Sequence, residues 1–275
     1  METRIPPHRC FDRLTWPEVA ALPPEAMFVQ PLGATEQHGH HLPLAVDTML
    51  TEAVLAAALA QLPEDAPVYV LPALAYGKSN EHRAFPGTIS LSATTLLALL
   101  MDLGESLAVA GCRKLLLLNG HGGQPQVCEI AATDIHDRHP ELWVFPHFLW
   151  RAPHPGKTLI SPTEARLGMH AGDLETSLML AIAPDSVRCD RLRTEYPPEP
   201  GQVGAKGPLS YSWRTQDLST SGVIGDATTA SREKGEAILA GLASGWAELL
   251  RELLVWTPPT VRQITHPDQL EEGRR

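Results

Sequence analysis

The sequence predicts an α/β fold in which a mostly parallel sheet is flanked by helices. Apolar runs of strand length alternate with helical patterns along the chain, which is typical of a parallel sheet. The chain has 275 residues, of which 43% are hydrophobic, enough for one large domain with a substantial core. It has no internal repeat and no low-complexity linker, so we predict a single domain over residues 1–275.

Short apolar segments and helical patterns alternate in the first half of the chain. Thr15 and Glu18 have the spacing of a capping box, which predicts a short helix. Met27–Leu32 and residues 68–71 are short and apolar, as buried strands are. Longer helices are predicted at residues 48–62, which are rich in Ala and Leu, and at residues 92–110.

The second half continues this alternation and then becomes less regular. Strands are predicted at residues 114–118 and 142–145, and helices at residues 125–136, 174–183 and 231–254. Residues 151–170 and 190–225 hold many of the prolines and glycines, which predicts long loops. The Pro-rich, charged segment 257–275 is predicted to be a flexible tail.

Composition argues against several kinds of partner. The formal net charge of -10 argues against nucleic acid and against an anionic membrane surface. The N-terminus lacks an apolar signal core, and the longest apolar stretch, residues 96–109, is too short and too charged to span a bilayer. The four cysteines form no CxxC pair and suit a reducing compartment. We therefore expect a cytoplasmic protein that binds neither nucleic acid nor membrane.

Residues 33–47, GATEQHGHHLPLAVD, contain the densest group of metal-ligand side chains. Glu36 and His38 are two residues apart, so an extended backbone places their side chains on the same side. Asp47 comes just before the next predicted helix. Carboxylate oxygens and imidazole nitrogens suit Zn, Mn or Fe(II). A polar surface loop would explain one histidine, but Glu-x-His with a nearby Asp at a strand end favours a metal site.

A second group, NGHGG at residues 119–123, directly follows the predicted strand 114–118. Ligands of open parallel sheets bind beyond the carboxyl ends of the strands, so two strands bring Glu36, His38 and His121 to one edge. A plain glycine-rich turn is the alternative. Interpretations as an α/β-hydrolase, a phosphate loop or a zincin lack support, because the chain has no G-x-S-x-G, no phosphate-binding glycine motif and no H-E-x-x-H.

A third group is HAGDLETS at residues 170–177. Glu175 lies in the first turn of a predicted helix, where the helix dipole favours negative charge whatever its function. His170 just precedes that helix and could donate or accept a proton, although a lone histidine is often structural. The residues alone leave these alternatives open.

Five motifs in order make the sequence similar to the creatininase (creatinine amidohydrolase) family. They are GATEQHGHHLPLAVDT (33–48), YGKSNEHRAFPGTISL (76–91), LLLLNGHGGQ (115–124), HAGDLETSLML (170–180) and GVIGDATTASREKG (222–235). The resemblance covers most of the chain. It implies a single αβα sandwich domain, a homo-oligomer (often a hexamer) and a dinuclear metal centre.

By position, the resemblance also implies roles for individual residues. The four implied metal ligands are Glu36, His38, Asp47 and His121. Asp47 is expected to bridge two ions, and His170 to transfer a proton. Glu175 is expected to complete the ligand set, because the second ion otherwise has only two protein ligands, fewer than the three usual at catalytic zinc sites. Zinc is the expected metal, with Mn or Fe(II) as alternatives.

Differences from creatininases proper affect the expected substrate. Those enzymes carry Tyr-Glu after the second Gly-His, where this chain has Gly122 and Gly123, and a Trp where this chain has Arg166. We expect the two glycines to offer backbone N–H groups to the substrate, Arg166 to bind a negative group on it, and Trp150 to contact it. The NGHGG form is shared with family members that act on other amides, namely a deformylase of a formylamino-pyrimidine nucleotide and a peptidase of mycofactocin maturation.

We therefore predict a divalent-metal-dependent enzyme that hydrolyses a C–N bond in a small-molecule amide, such as a formamide, a cyclic amide or a peptide. Bound metal lowers the pKa of water toward ~7, and His170 then protonates the leaving nitrogen. Two alternatives remain open. One is creatinine amidohydrolase proper, and the other is a non-catalytic metal- or nucleotide-binding protein, which needs no open coordination position.

Overall fold

The computed structural model describes residues 4–199 and 201–260. Its main sheet consists of four parallel strands, β1 (Met27–Leu32), β2 (Val68–Val70), β3 (Lys114–Asn119) and β4 (Trp143–Phe148). Their spatial order is β2-β1-β3-β4, so β1 and β3 are central. The register pairs Met27 with Lys114 and Leu32 with Asn119. Both central strands therefore end at the same edge of the sheet.

Helices and short strands complete the described chain. The helices are α1 (Trp16–Ala20), α2 (Val46–Leu59), α3 (Ala93–Val109), α4 (Pro125–Arg138), α5 (Gly156–Leu159), α6 (Pro162–Leu167), α7 (Asp173–Ile182), α8 (Thr215–Leu218) and α9 (Arg232–Val255). The short strands are β5 (Thr194–Glu195), β6 (Val203–Gly204), β7 (Leu209–Ser210) and β8 (Gly225–Asp226). They form two small sheets, β5 with β8 and β6 with β7.

The main sheet separates two hydrophobic cores. Side chains alternate between the two faces of a strand, so Met27 and Val29 of β1 pack in one core and Phe28 in the other. The first core is completed by α2, α7 and α9, and the second by α3 and α4. This is the predicted α/β architecture, a parallel sheet between two layers of helices.

The predicted strands and long helices are present, with small shifts at their ends. Thr15 and Glu18 form the predicted capping box, with 2.6 Å between the Thr15 N–H nitrogen and Glu18 Oε2. α2 begins at Val46, earlier than predicted, so Asp47 lies inside the first helical turn and not before it. The direction of the Asp47 side chain is therefore set by the helix and not by a loop.

The segments predicted as long loops contain more regular structure than expected. Residues 151–170 include α5 and α6, and residues 190–225 include α8 and several short strands. Pro162 occupies the first turn of α6, and Ser161 Oγ accepts the Glu164 N–H at 3.1 Å. A proline that suggested a loop therefore begins a helix, because its missing N–H is not needed there.

Buried Glu164 joins these segments. Its Oε1 accepts the N–H of Asp173 at 2.9 Å, and its Oε2 accepts the N–H of Asp226 at 2.8 Å and the hydroxyl of Tyr196 at 2.9 Å. A buried carboxylate requires such donors to offset the loss of water. One side chain thus joins the beginning of α7 to β8 and to the residue that follows β5.

Three further predictions from the sequence concern the cysteines, a membrane-spanning helix and the C-terminal tail. All four cysteines, Cys10, Cys112, Cys128 and Cys189, are free thiols. Within the two described ranges, no helix is long and apolar enough to cross a membrane. The predicted tail, 257–275, lies mostly outside the described residues.

Trp246 of α9 provides a test of the core. It is 1% exposed, and its Nε1 donates to the Leu149 carbonyl at 2.9 Å. Trp246→Ala removes its apolar contacts and leaves that carbonyl unsatisfied, so we expect the free energy of unfolding to fall by ~3–5 kcal/mol. Urea denaturation measures the change. Trp16 is 82% exposed, and Trp16→Ala should change the same quantity by less than ~0.5 kcal/mol. Equal losses in the two variants would contradict the assignment of Trp246 to the core.

Candidate metal centre

Four buried polar side chains meet at the edge where β1 and β3 end. Glu36 and His38 follow β1, His121 follows β3, and Asp47 lies in the first turn of α2. Their exposed fractions are only 1%, 0%, 2% and 3%, respectively. Burial of so many ionisable groups is unfavourable unless they are paired or bind a metal.

His121 lies between two carboxylates. Its Nδ1 is 3.2 Å from Glu36 Oε2 and 3.2 Å from Asp47 Oδ2. Its Nε2, on the other side of the ring, is 2.9 Å from the carbonyl oxygen of Lys78. Because a carbonyl can only accept, Nε2 carries a hydrogen and Nδ1 is the nitrogen that faces the carboxylates. The three side chains thus offer one nitrogen and two oxygens to a single cation.

A second group of ligand atoms adjoins the first. His38 Nε2 is 3.5 Å from Asp47 Oδ1, while His38 Nδ1 is 3.2 Å from the backbone oxygen of Glu36. His38, His170 and Glu175 each offer a ligand atom within 4.8 Å of the other two. Asp47 therefore contacts one histidine of each group, as a carboxylate shared by two ions does.

The donor set fits a divalent ion. His38 Nε2 and Asp47 Oδ2 are buried and have no hydrogen-bond partner among the described residues. Buried polar atoms of proteins are nearly always paired. An imidazole nitrogen beside carboxylate oxygens is a suitable ligand set for Zn, Mn or Fe(II).

The electrostatics of the cluster favour positive charge. Burial lowers the pKa of His38, but the negative charges of Asp47, 3.5 Å away, and of Glu175 and Glu36 outweigh it and raise that pKa to about 9. Burial also opposes the charge on His121, yet Glu36 and Asp47 raise its pKa well above the ordinary value. Burial raises the pKa of Glu175 to about 7. The carboxylates therefore stabilise a cation between them, either a proton or a metal ion.

His170 faces the cluster through one nitrogen. Its backbone pairs with Ile224, with N···O distances of 3.1 and 2.9 Å. Its Nε2 is 2.7 Å from the Gln37 carbonyl oxygen, and its Nδ1 is 3.8 Å from Glu36 Oε1. The following residue, Ala171, has φ 52°, which is uncommon for a residue with a side chain. The turn at Ala171 lets the chain enter α7 while Nδ1 of His170 stays directed at the carboxylates.

Glu175 has contacts that suit both interpretations of its role. It lies in the first turn of α7, and its Oε2 accepts the Ala171 N–H at 2.6 Å. The same carboxylate belongs to the ligand group of His38 and His170. A capping role and a metal-binding role are therefore both compatible with its position.

Sequence reasoning gave no role to two further residues of the cluster, Glu81 and His82. They lie in the short helical turn Asn80–His82. Glu81 Oε1 is 3.4 Å from His121 Nε2, and His82 Nε2 is 3.5 Å from Glu36 Oε1. Their one signal in the sequence is that they lie in the motif at residues 76–91. The rule that located the ligands directly after β1 and β3 does not locate them, because a long loop separates them from the end of β2 at Val70.

The predicted substrate-binding residues lie in different surroundings. Gly122 is exposed, with no atom within 4 Å of the position where a Cβ would stand. Gly123, beside it, is half-buried in the same loop after β3. Arg166 is half exposed in α6 and pairs with Glu199, and Trp150 is half-buried against the core on the α9 face. The two glycines thus border the cluster, whereas Arg166 and Trp150 have contacts outside the ligand groups.

Known proteins with the same architecture decide the family. The family model described as creatinine amidohydrolase matches residues 12–250. The chain belongs to the creatininase family. It is 33% identical over 234 residues to the mycofactocin precursor peptide peptidase of Mycolicibacterium smegmatis, covering 84% of this chain and 86% of that protein. It is 34% identical over 266 residues to the creatinine amidohydrolase of Pseudomonas putida, covering 90% and 96%.

A solved creatininase structure in a manganese form shares the fold. It aligns with a TM-score of 0.75 at 30% identity, covering 90% of this chain and 99% of that one. A creatininase with one tryptophan replaced by alanine aligns with a TM-score of 0.77, at the same identity and coverage. Membership of the creatininase family confirms the predicted fold class and the predicted reaction, metal-dependent hydrolysis of a C–N bond. The two named relatives act on different amides, so membership alone does not select the substrate.

Proposed function

We propose that this creatininase-family enzyme hydrolyses an amide other than creatinine and binds two divalent ions in its buried cluster. Zinc is the metal that we expect, with Mn or Fe(II) as alternatives. The main support is the convergence of ligand atoms on the unpaired His38 Nε2 and Asp47 Oδ2. Glu36 and His121 would hold one ion, His38 and Glu175 the other, and Asp47 both. When bound, the ions would supply hydroxide at neutral pH and polarise the substrate carbonyl.

The chain's own residues orient the substrate and move a proton. Nε2 of His170 donates its hydrogen to the Gln37 carbonyl, so Nδ1 of the neutral ring would take a proton from the attacking water and pass it to the leaving nitrogen. The backbone N–H groups of Gly122 and Gly123 would stabilise the negative oxygen that develops as the amide carbon becomes tetrahedral. Arg166 would attract a negative group on the substrate, and Trp150 would contact the substrate.

The substrate proposal predicts poor turnover of creatinine. Gly122 adds no side chain to the loop after β3 and has no atom within 4 Å of the position of a Cβ, so we expect room for a larger amide beside it. We expect kcat/KM for creatinine below ~10⁴ M⁻¹s⁻¹ and a higher value for a formamide or short peptide that carries a negative group. Initial rates on creatinine, formamides, cyclic amides and short peptides, with Zn, Mn and Fe(II) in turn, measure the preference.

A pair of arginine variants controls for the charge of the substrate. Arg166→Ala should raise KM for the acidic substrate and leave KM for a neutral analogue unchanged, whereas Arg232→Ala, at an exposed arginine paired with Glu236, should change neither.

Efficient creatinine hydrolysis would instead identify creatinine amidohydrolase proper, which the identity to the Pseudomonas putida enzyme favours. Metal binding without turnover of any amide would favour a non-catalytic metal-binding protein.

We also propose that the enzyme is a cytoplasmic homo-oligomer. The free cysteines suit a reducing compartment, and the oligomer is what the resemblance implied. Light scattering on the purified protein measures its mass in solution, and a mass of one chain would contradict the second part of this proposal.

A further inference from the structure

Three side chains of residues 79–82 contact the candidate ligands from outside. Ser79 Oγ donates to Glu36 Oε2, Glu81 faces His121, and His82 faces Glu36. We propose that residues 79–82 are a positioning segment for the metal centre, with Glu81 as the group that fixes His121. This inference rests on the proposed metal site and adds residues that bind no ion themselves.

The role of Glu81 follows from what each of the two ring nitrogens of His121 faces. Nδ1 faces Glu36 and Asp47, whereas Nε2 donates its hydrogen to the Lys78 carbonyl, 2.9 Å away, and has the Glu81 carboxylate beside it, with Oε1 at 3.4 Å. A carboxylate at the far nitrogen of a metal-binding histidine fixes the tautomer, orients the ring and makes the other nitrogen a stronger ligand. Glu81 therefore acts on a bound ion through the imidazole ring.

The glycine at position 123 gives Glu81 the room it needs. A Cβ there would lie 2.8 Å from the Lys78 carbonyl oxygen and would overlap Glu81 Oε1. Lys78 Nζ, in turn, is 3.0 Å from the Gly123 carbonyl oxygen and 3.5 Å from Glu81 Oε2. The loop after β3 and the turn after β2 thus hold the Glu81 carboxylate between them, 9% exposed.

His82 acts in the same way on Glu36. Gln37 Oε1 accepts the Gly39 N–H at 2.9 Å, so the Gln37 amide nitrogen is the atom that points at His82 Nδ1, also 2.9 Å away. Nδ1 must then accept, and the hydrogen of His82 lies on Nε2, directed at Glu36 Oε1 at 3.5 Å. His82, Glu36 and His170 each offer a ligand atom within 4.8 Å of the other two, but in this tautomer His82 Nε2 carries a hydrogen and cannot bind an ion.

Backbone and side-chain contacts make the positioning segment rigid. The Lys78 N–H donates to Gln124 Oε1 at 3.0 Å, and the Ser79 N–H donates to Ser90 Oγ at 2.9 Å. On the other side, Thr215 Oγ1 is 2.7 Å from His82 Nδ1. A segment held at both ends can keep His121 and Glu36 in one geometry before an ion arrives.

The test compares Zn²⁺ binding by the full-length enzyme and its Glu81 variants. We expect Glu81→Ala to raise the Kd for Zn²⁺, measured by chelator competition, by ~10–100-fold with no change in ions bound per chain at saturation. Glu81→Gln keeps an oxygen that can accept the Nε2 hydrogen but lacks the charge, so its Kd should lie between those of the wild type and Glu81→Ala. The rise in melting temperature that Zn²⁺ produces, relative to each metal-free protein, should follow the same order.

Glu105→Ala is the matched control, because Glu105 Oε2 lies 3.1 Å from His139 Nε2 in a Glu–His pair at the surface. It should bind Zn²⁺ as the wild type does. An unchanged Kd in Glu81→Ala, or the loss of a whole ion per chain, would overturn the positioning role. If Glu81→Ala does not fold, Glu81→Gln alone decides by the same measurements. A wild-type protein that binds no Zn²⁺, Mn²⁺ or Fe²⁺ would instead refute the proposed function.

Discussion

Replacement of His121 by alanine should remove one divalent ion per chain and lower kcat at least ~10³-fold. His121 supplies the one nitrogen of the group that it forms with Glu36 and Asp47. Without it that ion has two carboxylate ligands, fewer than the three protein ligands usual at catalytic zinc sites. A bound ion contributes several kcal/mol to stabilisation of the transition state, and each ~1.4 kcal/mol is tenfold in rate. Elemental analysis and steady-state kinetics measure the two losses.

His139→Ala is the control for this substitution, because His139 pairs with Glu105 outside the ligand groups. It should keep full metal content and activity. Circular dichroism should show that His121→Ala is folded, although we expect a lower melting temperature, because Glu36 and Asp47 lose a buried partner. Full metal content in His121→Ala would remove His121 from the ligand set.

Glu175→Gln should lower metal content by about one ion per chain and turnover by at least ~10²-fold. The carboxylate shares a ligand group with His38 and His170. Burial, and then the like charges of Asp47 and Glu36, disfavour its negative charge, and a bound cation would favour that charge again. A glutamine side chain still offers an oxygen to the Ala171 N–H, so the cap of α7 is retained. The melting temperature of the metal-free protein should therefore change little. Elemental analysis, kinetics and thermal denaturation are needed together.

Glu233→Gln provides the comparison, because Glu233 also lies in the first turn of a helix, α9, but at the surface. It should keep both ions and full turnover. The capping interpretation of Glu175 predicts that Glu175→Gln keeps both ions and most activity, and that only Glu175→Ala, which removes the cap, loses up to ~1 kcal/mol of stability. That result would leave the second ion without Glu175 and reduce its proposed ligands to His38 and Asp47.

The ligand-bearing loops could be predicted because they follow buried strands. Met27–Leu32 is buried throughout and apolar except for Gln30, and in a parallel sheet such a strand delivers the next residues to the edge where ligands bind. Glu36, His38 and His121 were predicted at that edge in this way, and the structure brings the three side chains together there. The local sequence was sufficient, because strand period and strand direction decide where these side chains go.

Other parts of the centre depend on contacts that local sequence does not encode. Glu81 and His82 lie well beyond the short strand β2, and only the return of that loop to Gln124 and Ser90 brings them to the cluster. The middle of the chain is similar, because Glu164 organises it through partners as distant as Asp226. Long-range hydrogen bonds of this kind follow no periodic pattern, so prolines and glycines predicted loops where short helices form.

The strand order β2-β1-β3-β4 also fixes when the centre can assemble during synthesis. β1 is made early, yet its central partner β3 follows only after α3, and Met27 cannot pair until Lys114 has left the ribosome. α7, which carries Glu175, comes later still, and α9 completes the core around it. Translation proceeds at ~5–20 residues per second, so the other candidate ligands are synthesised several seconds or more after Glu36 and His38. A metal ion that needs all of these ligands can therefore bind only after α7 has been made, so its supply matters at that stage of synthesis and not when β1 is made.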